Sequence, residues 1–158
     1  ADLMQIGSRN MQNFSLLAKV GATGRPVLLK RGRAASLTDW RLAAAHCLSA
    51  GAAGVIFCER GILGSDPETR NLLDLAGAAL LSKVYQQPVL VDPSHGTGRR
   101  DLVAPMSFAA LAAGCSGLLV ECHPDAGDAR SDAPQALSPA EMMDLGEGVR
   151  ALLAARGT

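Results

Sequence analysis

At 158 residues the chain is long enough for one domain, expected over 1–158, and its 48% hydrophobic content can bury a real core. With 3% aromatic residues, that core has to be aliphatic and alanine-rich. Lys+Arg and Asp+Glu are both 15, which excludes a broad nucleic-acid or anionic-membrane surface while leaving room for a local basic pocket.

Five short apolar runs read as strands, each followed by a turn and a helical pattern. Leu3 to Ile6 comes first, with a helix over about 11–20. Pro26 to Leu29, continuing into Lys30, precedes a helix over 37–50 that starts at Leu37-Thr38-Asp39-Trp40. Gly54 to Cys58 precedes one over 69–84, and Pro88 to Val91 one over 101–113. Gly117 to Val120 is followed by a helix over 138–155, with Ser138 at its N-cap and Pro139 in its first turn. No apolar run approaches the length of a bilayer span and no signal peptide is visible, so a reducing cytoplasm is the expected setting.

Alternating strands and helices with continuous apolar strands predict a parallel sheet covered by helices. A doubly wound sheet and a (β/α)8 TIM barrel compete. The spacing of roughly 30 residues per unit suits a barrel of about 250 residues, and no GxGxxG follows the first strand. By that spacing five units of eight are present. The chain opens Ala1-Asp2-Leu3-Met4-Gln5 inside a strand, without an initiating methionine, so a piece of something longer is expected.

Polar residues collect where the strands end: Gly7-Ser8-Arg9-Asn10, Lys30-Arg31-Gly32, Cys58-Glu59-Arg60-Gly61, Asp92-Pro93-Ser94-His95 and Glu121-Cys122-His123. Parallel strands open their C-terminal ends onto one face, which therefore gathers Arg9, Lys30, Arg60, His95 and Glu121. Three cations in one pocket call for an anion. Arg9 and Arg60, with the N–H groups of Gly7 and Ser8, suit a phosphate, and Lys30 suits a carboxylate. His95, Glu121 and Asp132 could hold a borderline divalent metal, Asp132 swinging back from the loop 125–134. A structural histidine beside a solvated acidic loop is the alternative. His123 is a second-choice ligand, and His46 reads as a packing or surface residue. Cys47, Cys58, Cys115 and Cys122 lack CxxC spacing, and Cys58 should point inward as core filling. Ser94 adjoins His95 too closely for a nucleophile–base pair. Arg99 and Arg100 open a helix at the end unfavourable for cations, where Asp101 could pair with them.

The strings MQIGSRNMQNFSLL, PVLLKRG, CERG with TRNLLDL, VLVDPSHGTGRRDLVAPMS and VECHPDAGDARSDAPQAL resemble the 3-deoxy-D-arabino-heptulosonate 7-phosphate (DAHP) synthases, their class I-beta type above all. The match runs in order over essentially the whole chain. The related 3-deoxy-octulosonate 8-phosphate synthases look less similar. The resemblance implies a (β/α)8 barrel of which these are strands four to eight. It also implies condensation of phosphoenolpyruvate with erythrose 4-phosphate, the first step of the shikimate pathway, in a cytoplasmic enzyme that is a homo-oligomer when complete. Arg9 and Arg60 would hold the phosphate of phosphoenolpyruvate and Lys30 its carboxylate end. His95, Glu121 and Asp132 would be three of four ligands to a divalent ion of the Mn, Fe, Zn or Co class.

The family's fourth ligand, a cysteine on the first strand, and its Lys-Pro-Arg-Thr motif are absent, so this chain alone should be inactive. Leu63-Gly64-Ser65 replaces the usual Arg-Thr-Phe, Phe108 a typical arginine and Ala133 a typical glycine. A non-catalytic phosphoenolpyruvate-binding or regulatory relative is the alternative reading.

Overall fold

The computed structural model describes residues 1–157; Thr158, which closes the expected domain, lies outside them. Five strands, β1 (Met4–Ile6), β2 (Val27–Lys30), β3 (Val55–Glu59), β4 (Val89–Val91) and β5 (Gly117–Leu118), form one sheet. They lie side by side in chain order, every pair parallel. A doubly wound sheet reverses its strand order at a switch point. An unreversed order with a helix after each strand is an arc of a (β/α)8 barrel. The helices are α1 (Phe14–Gly21), α2 (Leu37–Ser49), α3 (Leu75–Lys83), α4 (Pro93–Thr97), α5 (Arg100–Ala112) and α6 (Pro139–Ala155). No helix among the described residues is long and apolar enough to cross a membrane.

The two-residue strand period divides the sheet's side chains. Val27, Leu29, Val55, Phe57, Val89 and Val91 join Leu17, Trp40, Ala43, Cys47 and Leu81 in the core between strands and helices. Leu28 and Cys58 are equally buried but outside that cluster, on the opposite face with Lys30. Trp40 is fully buried; its indole N–H donates to the Leu29 carbonyl at 3.1 Å, and its ring meets Phe57 edge-on at 5.0 Å. A smaller cluster of Val103, Leu137 and Leu145 joins α5 to α6, and Phe108 packs against it. A Cβ at Gly148 would lie 2.6 Å from the Phe108 ring, so a residue without a side chain faces the ring.

Capping chemistry sets the helix starts. Ser36 and Ser138 each form a reciprocal box with the acid three residues on, Asp39 and Glu141. The helix expected from residue 69 begins only at Leu75, because an antiparallel bridge between Ile62 and Leu72 holds the preceding chain as a loop and Asp74 caps α3. β5 ends at Leu118, short of Val120. The segment after β4 is the one-turn helix α4. Only Gly98 is left-handed there, at φ 70°, ending the turn. Gly96 is helical and supplies space, since a Cβ would sit 2.5 Å from the Leu73 Cδ1.

Candidate active site

The C-terminal ends of β1 to β4 and the loops beyond them enclose a cavity of about 420 Å³. Gly7, Ser8 and Arg9 line one wall, Gly7 as the N-cap of the three-residue 3-10 turn Ser8–Asn10 that follows β1. The turn ends before α1 begins, so it offers separate N–H groups rather than the dipole of a long helix. Ser8 is fixed by donating its hydroxyl to the Arg31 carbonyl at 2.7 Å. Lys30, Arg60 and His95 line the same cavity, as expected, and Asp132 reaches it from its loop.

Arg60 is 7% exposed, and its Nη1 has no hydrogen-bond partner among the described residues. Burial lowers its pKa, and the charges of Arg70 and Arg33 act the same way against the pull of Asp92. A buried charged donor without a partner is unfavourable by upwards of about 1–3 kcal/mol, a cost that an anion meeting this nitrogen would relieve.

Asp92, 1% exposed, organises the floor. Its Oδ2 accepts from Lys30 Nζ at 3.0 Å and lies 2.8 Å from His95 Nδ1, while Oδ1 accepts the His95 backbone N–H at 2.9 Å. Burial would raise this carboxyl, but the His95 hydrogen bond and the Lys30 charge outweigh it and hold it below the usual carboxylate range. With Nδ1 turned to Asp92, His95 presents Nε2 to Glu121 Oε1 and Asp132 Oδ2, each at 3.7 Å. One ligand atom from each of these three residues lies within 4.8 Å of the others. Ser94, fully buried, accepts the Glu121 backbone N–H at 3.1 Å and so fixes the segment beyond β5 that carries Glu121.

Beneath the cavity Arg31 bridges Glu59 and Asp74, both at 2.8 Å. Burial pushes the Glu59 carboxyl up despite Arg31, and its Oε1 accepts the Gly61 N–H at 2.6 Å. This network joins the ends of β2 and β3 to the start of α3.

Residues 1–153 match the model of the DAHP synthetase I family. The chain belongs to that family. It is 47% identical over 137 residues to the phospho-2-dehydro-3-deoxyheptonate aldolase of Thermotoga maritima, covering 87% of this chain and 40% of that protein. Identity to the 2-dehydro-3-deoxyphosphooctonate aldolase of Methylobacterium radiotolerans is 32% over 153 residues, 89% of this chain and 53% of that one. A truncated form of the Thermotoga maritima 3-deoxy-D-arabino-heptulosonate 7-phosphate synthase superposes at a TM-score of 0.97 with 44% identity, over 100% of this chain and 60% of that one. The chain thus spans about half the length of the relatives it matches.

In this DAHP synthetase I family member, two cavity residues escape the strand-end rule. Arg33 and Arg70 line the cavity from loops. The sequence places Asp92 at the end of β4 but does not show its contacts with Lys30 and His95. The cation absent at Leu63 has a neighbour in Arg33, whose carbonyl accepts the Leu63 N–H at 2.8 Å. Ala133 carries no left-handed strain, and its carbonyl accepts from Arg100 Nη2 at 3.3 Å. Arg99 pairs with Asp101 at 2.8 Å. His46 packs edge-on against Phe14, and His123 turns to the backbone of Asp125, outside the ligand cluster.

Proposed function

We propose that this chain forms the phosphoenolpyruvate- and metal-binding part of a DAHP synthase, which joins phosphoenolpyruvate to erythrose 4-phosphate and releases phosphate. One observation carries the reading: the unpartnered buried nitrogen of Arg60 belongs to a residue lining the same cavity as two members of a three-donor metal set, His95 and Asp132. A phosphoryl group satisfies Arg60, with Arg9 and the N–H groups of Gly7 and Ser8 on the same side. Lys30, steadied by Asp92, meets the carboxylate.

The donors fit a metal. A tetrahedral ion with bonds of about 2.0–2.2 Å sets its ligands roughly 3.4 Å apart, close to the 3.7 Å between His95 and each carboxylate. When bound, a divalent ion of the Mn, Fe, Zn or Co class supplies Lewis-acid polarisation of the aldehyde carbonyl. The cysteine ligand that the family resemblance implies has no counterpart among these donors. Cys47, Cys58 and Cys115 are buried, with the Cys58 thiol pushed up to about 12 by burial.

The protein's own work is electrostatic positioning. Arg9, Arg60 and Lys30 hold the enol phosphate so that C3 attacks the aldehyde carbon. Water then adds at C2, and the hemiketal expels phosphate toward the same cations, leaving the C2 ketone. The test is phosphate release by the full-length natural protein, given phosphoenolpyruvate, Mn2+ and either erythrose 4-phosphate or a five-carbon aldose phosphate. Release with the four-carbon sugar is expected. Release only with the five-carbon sugar would move the protein to the octulosonate enzymes. Binding of phosphoenolpyruvate without turnover would make it a non-catalytic relative.

A further inference from the structure

We infer that Gln135 and Arg70 are positioning residues for Asp132, tying one carboxylate oxygen so that the other is presented beside His95. This rests on the metal reading above. Asp132 Oδ1 accepts from Gln135 Nε2 at 2.7 Å and from Arg70 Nη1 at 3.0 Å. Oδ2, the atom facing His95 Nε2 at 3.7 Å, receives neither.

The backbone at Asp132 needs such support. Its φ of 59° is left-handed, a region that non-glycine residues seldom occupy unless the surroundings impose it. The Asp132 carbonyl accepts the N–H groups of both Gln135 and Ala136 at 3.1 Å, closing the loop on itself.

Each member of the clamp is itself held. Gln135 is 2% exposed, and its Oε1 lies 3.4 Å from Arg70 Nη1, so its amide is spent inside the arrangement. Arg70 donates its backbone N–H to the Thr97 carbonyl at 2.8 Å. Gly98 lies against its side chain, where a Cβ would come within 2.5 Å of the Arg70 Cβ. The loop after β3 thereby reaches across α4 to orient a ligand that lies far along the chain. Outer contacts of this kind typically govern metal affinity by about 10–100-fold.

The experiment is a Mn2+ titration of the full-length natural protein, with free Mn2+ read by electron paramagnetic resonance and phosphoenolpyruvate binding measured separately without metal. Gln135→Leu keeps most of the packing and removes the donor. It should weaken Mn2+ binding about 10–100-fold while leaving metal-free phosphoenolpyruvate affinity unchanged. Arg70→Lys keeps the charge but loses the planar fork, and should fall between the parent and Gln135→Leu. Equal Mn2+ affinity in parent and variants would overturn the clamp alone. A parallel loss of both affinities and of thermal stability would overturn it in favour of plain structural support. A parent that binds no Mn2+ would overturn the metal reading and the clamp together.

Discussion

Arg60 lies against Asp92, Arg33 and Arg70 in charge terms, yet one of its buried nitrogens is left without a hydrogen bond among the described residues. A charge-assisted hydrogen bond contributes about 1.5–3 kcal/mol, or roughly ten- to a hundredfold in affinity. Arg60→Ala should weaken phosphoenolpyruvate binding by that factor in a calorimetric titration; unchanged affinity would mean that no anion meets this nitrogen. Arg60, Lys30 and Arg9 were legible because strand ends in a parallel sheet share one mouth. Arg33 and Arg70 were not. They lie beyond the strands, where position depends on tertiary partners, Asn71 for Arg33 at 2.9 Å and Asp132 for Arg70.

Among the elements, α4 carries the most chemistry in the least length. Gly98 ends it at φ 70°, in a conformation that disfavours an L side chain by about 1–2 kcal/mol, and against Arg70. Gly98→Ala should destabilise the protein by at least about 1 kcal/mol in urea unfolding; an unchanged midpoint would show that the turn can relax. The capped helices α2 and α6 make an acid-pH prediction. Hydrogen bonds from the Ser36 hydroxyl and backbone hold the Asp39 carboxyl below its ordinary value, and those from the Ser138 backbone and hydroxyl do the same for Glu141. A folded-state pKa below the unfolded one gives stability that is present above the ordinary carboxylate range and lost as pH falls through the folded value. Asp39→Ala and Glu141→Ala should therefore be less stable than the parent at pH 7, with the gap closing below about pH 4. The Ser138 cap was readable because a serine followed by proline is a local helix-start pattern, whereas the expected start at Leu37 left out the Ser36 cap. The late start of α3 was not readable, since the bridge between Ile62 and Leu72 and the Asn71 amide on the His95 carbonyl (2.8 Å) are contacts that no window of sequence contains.

For the molecule as a whole, the alternation of apolar runs and helical patterns was enough to foresee a parallel sheet covered by helices, while the arc of barrel was favoured over a doubly wound sheet by the unit spacing and the family resemblance. Its closure is another matter: β1 and β5 have one strand neighbour each among the described residues. With three metal donors and no Lys-Pro-Arg-Thr strand, residues 1–158 expressed alone should bind phosphoenolpyruvate yet release no phosphate with erythrose 4-phosphate and Mn2+. Turnover by these residues alone would refute the need for a fourth ligand. The floor of the cavity bears on how any such mutational data are read. One oxygen of Asp92 takes the Lys30 ammonium and lies at hydrogen-bond distance from the His95 imidazole, so the residue proposed to meet the substrate carboxylate and the one proposed to meet the metal share a partner. In a double-mutant cycle the loss from Lys30→Ala with His95→Ala should fall short of the sum of the single losses, by a coupling of about 0.5–3 kcal/mol. A substitution at either residue should therefore change what a substitution at the other costs, although 65 positions of chain separate them.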